Sequence, residues 1–137
     1  MSARARHLIE AALGGTPYLG RGLELLDAAE HHASDECCAV WTEHGGAVVA
    51  VALVGLVAGA EGAGRLHLLI GHDPHLVARA LDVLRAMGAR FVMAEWPDDA
   101  AFAEAIRRLH EEGFHEEARI AHVYRAGVDQ VFLRRDL

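Results

Sequence analysis

The segment AVVAVALVGLVAGA, residues 47–60, constrains this chain more than any other stretch of its sequence. No charge or hydroxyl interrupts it. As a helix it would reach only about 21 Å, short of the roughly 30 Å of a hydrocarbon core, so it does not span a bilayer. Its valines are stiff at the first side-chain torsion and favour extended chain. A strand apolar on both faces must be covered on both, which places it inside a sheet with helices packed on either side.

The rest of the chain supplies those partners. Leu8, Ile9, Ala12 and Leu13 share one face of a first helix, closed by Gly14-Gly15. Leu19, Leu23 and Leu26 repeat at helical spacing in a second, ending near His31-His32. CCAVWTEH (37–44) alternates as a strand, His44-Gly45-Gly46 turns, and 47–58 is its hairpin partner. GAEGAG (59–64) is a loop and RLHLLI (65–70) a third strand. Leu76, Val77, Ala80, Leu81, Leu84 and Met87 form the stripe of a third helix. RFVMAE (90–95) is a buried strand, and Asp98 or Asp99 caps a fourth helix carrying Phe102, Ala105, Ile106 and Leu109. Strands 114–122 and 129–135 follow, separated by a loop at 123–128. The order α-α-β-β-β-α-β-α-β-β predicts an α/β fold, a mixed, mostly antiparallel sheet flanked by helices with one strand-helix-strand crossover.

A chain of 137 residues forms a single domain with one core. Its formal net charge of −7 argues against nucleic acid, because phosphate backbones need clustered cations. All thirteen basic residues are arginines. Glu10 interrupts any signal-peptide core near the N-terminus, and adjacent Cys37-Cys38 offers no disulfide framework, so a cytoplasmic protein with reduced thiols and no membrane association is expected. His67, His72 and His75 flank Asp73, and His31-His32 precede the cysteines. Neither set has a zinc spacing, and no metal is expected. Ser2 and Ser34 lie outside any nucleophile elbow, and GAEGAG joins two strands instead of opening a helix, so it is no dinucleotide fingerprint.

The junction GHDPHLVARAL (71–81) runs from strand into helix, the usual place for backbone amides to hold a phosphate. Gly71 is its only glycine. Asp73-Pro74 fits an N-cap and first helical position, which puts a carboxylate where an anion would sit.

The C-terminal stretch AIRRLHEEGFHEEARIAHVYRAGVDQVFLRRDL resembles the last third of the GNAT superfamily of N-acetyltransferases. Its landmarks are Gly113-Phe114 after a helix, Tyr124 and Asp129 around a loop, and Phe132-Leu133 in a last strand. The preceding order of hairpin, strands and helix matches as well. The resemblance implies acetyl-CoA as co-substrate, lying in a V-shaped split between the family's fourth and fifth strands, here RLHLLI and RFVMAE. It implies that amides around Leu69 and Ile70 hold the thioester carbonyl, and that the helix start at His75, Leu76 and Val77, with Arg79, contacts the pyrophosphate. The phosphate loop is about three residues shorter than the family pattern and lacks its glycines. Asp99 stands where the family often has an asparagine near the cofactor, with a cap role as the alternative. Glu95 resembles the family's base and Tyr124 a substrate-side tyrosine; a solvated glutamate and a ring packed under its loop are the alternatives. The family's acidic tyrosine is replaced by Leu109, and neighbouring His110 points about 100° away. GAEGAG falls where the family approaches its acceptor. The activity implied is acetyl transfer from acetyl-CoA to a primary amine of a small molecule or peptide. The rival is a GNAT-fold protein that no longer binds acetyl-CoA and serves as a binding or dimerising module, with a homodimer as one such assembly.

Overall fold

The apolar run becomes strand β2 (Ala47–Leu56), and its residues Ala50 to Val54 are wholly inaccessible to solvent. The computed structural model describes residues 2–137. Helices α1 (Ser2–Leu13) and α2 (Leu19–His31) precede β1 (Cys38–His44), which pairs with β2 as a hairpin. Strand β3 (Ala63–Gly71) leads to α3 (Leu76–Ala86), β4 (Phe91–Pro97), α4 (Ala100–Glu111), β5 (His115–Arg125) and β6 (Val128–Asp136). The six strands stand in the order β1-β2-β3-β4-β6-β5, antiparallel except for the β3–β4 pair across the α3 crossover. This is the mixed sheet the sequence predicts. Its core gathers Ile9 and Leu13 of α1, Leu76, Leu81 and Leu84 of α3, and Leu109 of α4 around β2. Among the described residues no helix is long and apolar enough to cross a membrane.

Some boundaries move. Ala63 and Gly64 belong to β3 and not to the preceding loop, because Arg90 donates its backbone N–H to the Gly62 carbonyl and its guanidinium to that of Glu61, fixing the strand's entry. That loop therefore sits where β3 and β4 are still paired, at the opposite end of the pair from the split. The expected loop at 123–128 is mostly strand: β5 runs to Arg125, which pairs with Val128, and Ala126-Gly127 make the turn. The register slips by several residues between Ile120 and Arg125, and His122 adopts φ 57° there, with its amide donated to Asp129.

The feature that positions a site is the way β3 leaves β4. They pair only at Ala63–Phe91, Gly64–Val92 and Arg65–Met93. On its other side β3 matches Leu66 to Val54 and Leu68 to Leu53, which leaves His67 as an extra, unmatched residue. Such a bulge bends and twists its strand. Beyond it the two strands separate, and the Trp96 indole bridges them by donating Nε1–H to the His67 carbonyl at 3.1 Å. Gly71 ends β3 at φ 87°, and a Cβ there would lie 2.1 Å from the Val49 carbonyl oxygen, so the turn into α3 requires glycine.

Candidate functional site

Past the bulge, successive β3 residues point their backbone groups to opposite edges. His72 donates its N–H to the Val49 carbonyl on the β2 side, whereas the Gly71 carbonyl accepts from Arg108 of α4 at 2.6 Å. By that alternation Leu69 turns its backbone groups to the split and Ile70 turns its own to β2. This stretch of β3 lines a cavity of 150 Å³ that also meets Ala12, Ala101 and Ala105. The small side chains of α1 and α4 leave this room beside the strand.

Glu95 and Tyr124 come together. One cavity of 270 Å³ and an adjoining one of 250 Å³ share Arg21, Leu25, His67, Glu95, Trp96 and Tyr124. Glu95 accepts from Arg65 Nη2 at 3.2 Å, and both side chains are about one-third exposed. The Tyr124 ring packs edge-on against Tyr18 at 5.8 Å, and burial pushes its phenol above the ordinary range, so it is neutral at neutral pH. His67 was visible in the sequence only as a weak metal candidate. Here it lines both cavities, its Nε2–H donates to the Glu36 carbonyl at 2.9 Å, and burial lowers its pKa, which leaves a neutral ring. The signal that would have found it is the bulge itself, and a bulge has no local sequence signature in RLHLLI.

The helix entry is more occupied than a phosphate loop. Helix α3 begins at Leu76, two residues after the expected Pro74. Asp73 still does the work of a cap. Its carboxylate accepts the His75 amide at 2.8 Å, and its carbonyl accepts the Leu76 amide at 3.2 Å. Its other carboxylate oxygen accepts from the Thr42 hydroxyl, chiefly for which reason the carboxyl is held below its usual range. Arg79 is committed to the Trp41 carbonyl at 2.7 Å and the Thr42 hydroxyl at 2.8 Å. Leu76 and Val77 are buried side chains. The amides of Val77 and Ala78 find no acceptor in the first turn, as expected of a helix start. Val77 lines a cavity of 330 Å³ together with Arg107, Arg108 and His72, and with the carboxylates of Glu104, Glu111 and Glu112.

Asp99 does not cap α4 with its side chain. It occupies the N-cap position in extended conformation, but its carboxylate accepts from the Tyr18 hydroxyl at 2.7 Å and from Arg125 at 2.9 Å. It ties α2's entry to the end of β5 on the Glu95 side of the split. Leu109 is wholly buried, so the fourth helix offers no acid at that position, and His110 turns its ring to the Phe114 carbonyl. No three His, Cys, Asp or Glu side chains gather into a metal-binding cluster among the described residues.

No protein-family model matches the sequence, and no curated protein does. The likeness lies in the backbone. A Desulfovibrio desulfuricans protein assigned to the GNAT acetyltransferase family superposes with a TM-score of 0.84 at 23% identity, over 98% of this chain and 91% of that one. The ribosomal-protein-alanine N-acetyltransferase of Brucella melitensis gives 0.73 at 17%, over 99% and 94%. The Salmonella typhimurium protein yncA, solved with its cofactor acetyl-CoA, gives 0.72 at 18%, over 99% and 88%.

Proposed function

On the fold of the GNAT acetyltransferases, which this chain adopts, we propose that it transfers the acetyl group of acetyl-CoA to a primary amine. The observation that carries this reading is the opened β3–β4 pair with Glu95 and Tyr124 lining one cavity beside it. The cavities that border Val77, then Leu69 and Ile70, then Glu95 follow one another along β3. They suit a long thioester substrate with its phosphates at the α3 entry and its acetyl group at the far end. The Val77 and Ala78 amides are the donors left for the phosphates. Arg107 is paired with Glu104 and Glu111, and Arg108 with the Gly71 carbonyl, so both arginines would have to exchange partners to reach them. The Leu69 amide edge faces the thioester carbonyl, where a donor stabilises the developing oxyanion.

Glu95, held by Arg65, accepts a proton from the acceptor's ammonium group and passes it to solvent. The freed amine attacks the thioester carbonyl carbon. The C–S bond breaks, the amide forms, and the second nitrogen proton ends on the departing sulfur. One ammonium and one thioester give one amide, one thiol and one proton. A thiolate leaves without an acid in place of Leu109. Tyr124, a neutral phenol, flanks the acceptor.

Calorimetric titration with acetyl-CoA, against CoA alone, tests the substrate. Thiol release with a panel of amines tests the reaction. Glu95→Gln should lower kcat by about 10²–10⁴-fold while acetyl-CoA affinity stays within a few-fold. No heat with acetyl-CoA at millimolar concentration removes this reading. The alternative is a non-catalytic binding or dimerising module, and one observation favours it: the Asp73 carboxylate and the Arg108 clamp on Gly71 occupy groups that a phosphate loop would leave free.

A further inference from the structure

The cavity around Glu95 divides into a polar half and an apolar half, and together they specify more than an amine. Arg21 and Arg65 line the polar half with one carboxylate, that of Glu95, while Arg21 also meets Glu24 at 3.4 Å on exposed surface outside the cavity, where such a pair is weak. This excess of positive charge is set in a chain whose formal net charge is −7. Arg65 spends one donor on Glu95, and its Nε is buried with no partner among the described residues. A guanidinium carries five N–H donors, and a buried one without an acceptor is costly unless a bound group supplies it. His67, neutral through burial, adds no charge of its own and repels neither an ammonium nor an anion. The apolar half is walled by Leu13, Pro17, Tyr18, Trp96 and Phe102, with the Tyr18 and Phe102 rings edge-to-face at 5.3 Å. The cavity these residues share with Glu95 and Tyr124, at 270 Å³, lies just below the usual range for small-molecule pockets, about 300–1,000 Å³, which favours a small acceptor.

We infer that the acceptor is a small amine that also carries a carboxylate, in the manner of an α-amino acid with an apolar or aromatic side chain. Its ammonium group lies at Glu95, its carboxylate at Arg65 and Arg21, and its side chain between the rings. This rests on the acetyl-transfer reading for its chemistry but not for its binding. A polycation would bring further positive charge against two arginines, so polyamines and aminoglycosides are poor acceptors here. The transfer itself is the balanced step given above, with acetyl-CoA as donor.

The test compares L-phenylalanine with phenethylamine, which keeps the ring and amine and lacks the carboxylate, and with spermidine. Each is titrated calorimetrically without acetyl-CoA, and each is assayed for acetyl transfer with it. L-phenylalanine should bind at least tenfold more tightly than phenethylamine, and spermidine should bind weakest (charge-assisted bonds to a carboxylate are the strong ones). Arg65→Gln should erase the preference. Arg21→Gln, at a side chain 69% exposed whose pair with Glu24 contributes little to stability, should reduce it. Equal or tighter binding of phenethylamine or spermidine, or a preference that survives both substitutions, overturns the inference. Acetylation of all three amines at similar rates leaves the transferase reading standing and sinks this one. Carboxylate-dependent binding without any acetyl transfer does the reverse.

Discussion

Asp73→Asn isolates the question posed by the α3 entry. Asn caps a helix about as well as Asp, so the bond from the His75 amide persists while the negative charge disappears. The Thr42 hydroxyl loses a charged acceptor, and Arg79, 3.6 Å away, loses a partner it meets across partly exposed surface. Together these cost about 1 kcal/mol of stability at most, a fall in Tm of a few degrees. The effect on an anion at the same helix start has the opposite sign. Removing a carboxylate from the first turn returns about 0.3–1 kcal/mol of helix-dipole attraction to the ligand. Relief of repulsion adds about 1 kcal/mol per nearby charge in water. The sum, about 1–2 kcal/mol, corresponds to acetyl-CoA binding roughly 5- to 30-fold tighter. Calorimetry on both proteins at 50 and 300 mM salt reads this directly, and the gain should shrink at the higher salt because the charges are screened. Unchanged or weaker affinity in the variant would refute the argument that Asp73 occupies the phosphate position.

Two further outcomes follow from other parts of the fold. His67 has a lowered pKa in the folded chain, so the unfolded chain binds more protons as pH falls below its ordinary 6.5, and stability declines in that window while remaining unaffected above it. His67→Gln retains a donor for the Glu36 carbonyl and should flatten the dependence of Tm on pH between 7.5 and 5.5; an identical slope would contradict a desolvated, neutral ring. Gly71→Ala should cost more than about 3 kcal/mol in denaturant melts, since it combines a left-handed backbone with a Cβ placed 2.1 Å from the Val49 carbonyl oxygen. A loss under about 1 kcal/mol would mean that the β3–α3 turn is not held as described.

Much of the architecture was legible because apolar periodicity reports burial directly. The apolar run was legible as an interior strand over 47–56, though it ends two residues before the expected 58 and gives way to an exposed turn, and the stripe from Leu76 to Leu84 is one face of a helix. Glu95 and Tyr124 were candidates through the family resemblance, the one at a strand end and the other in an expected loop that proves to be the last part of β5. What the sequence hid depends on register and on side chains meeting across long separations. The end of β5 was hidden because its residues are exposed along its whole length and carry no alternation to read. Asp99 looked like a cap because Asp before a helix usually is one, and only its tertiary contacts with Tyr18 and Arg125 reveal that its carboxylate is spent elsewhere. That His67 and Arg65 line the cavity beside Glu95 was hidden for the same reason: RLHLLI reads as a regular strand until its pairing with β2 is counted.

That count has a consequence for how durable the cleft is. The split is written into the number of residues in β3, one more than β2 can match, and not into the chemistry of any side chain lining it. Substitution after substitution could erase an activity there and leave the opening intact. Deleting His67 would do the opposite, restoring an unbroken ladder in which Leu68, Leu69 and Ile70 keep their present partners on β2 while the bend that parts β3 from β4 is lost. A recess kept by arithmetic outlasts the particular reaction carried out in it, and its lining is free to be rewritten for another ligand without refolding the chain around it.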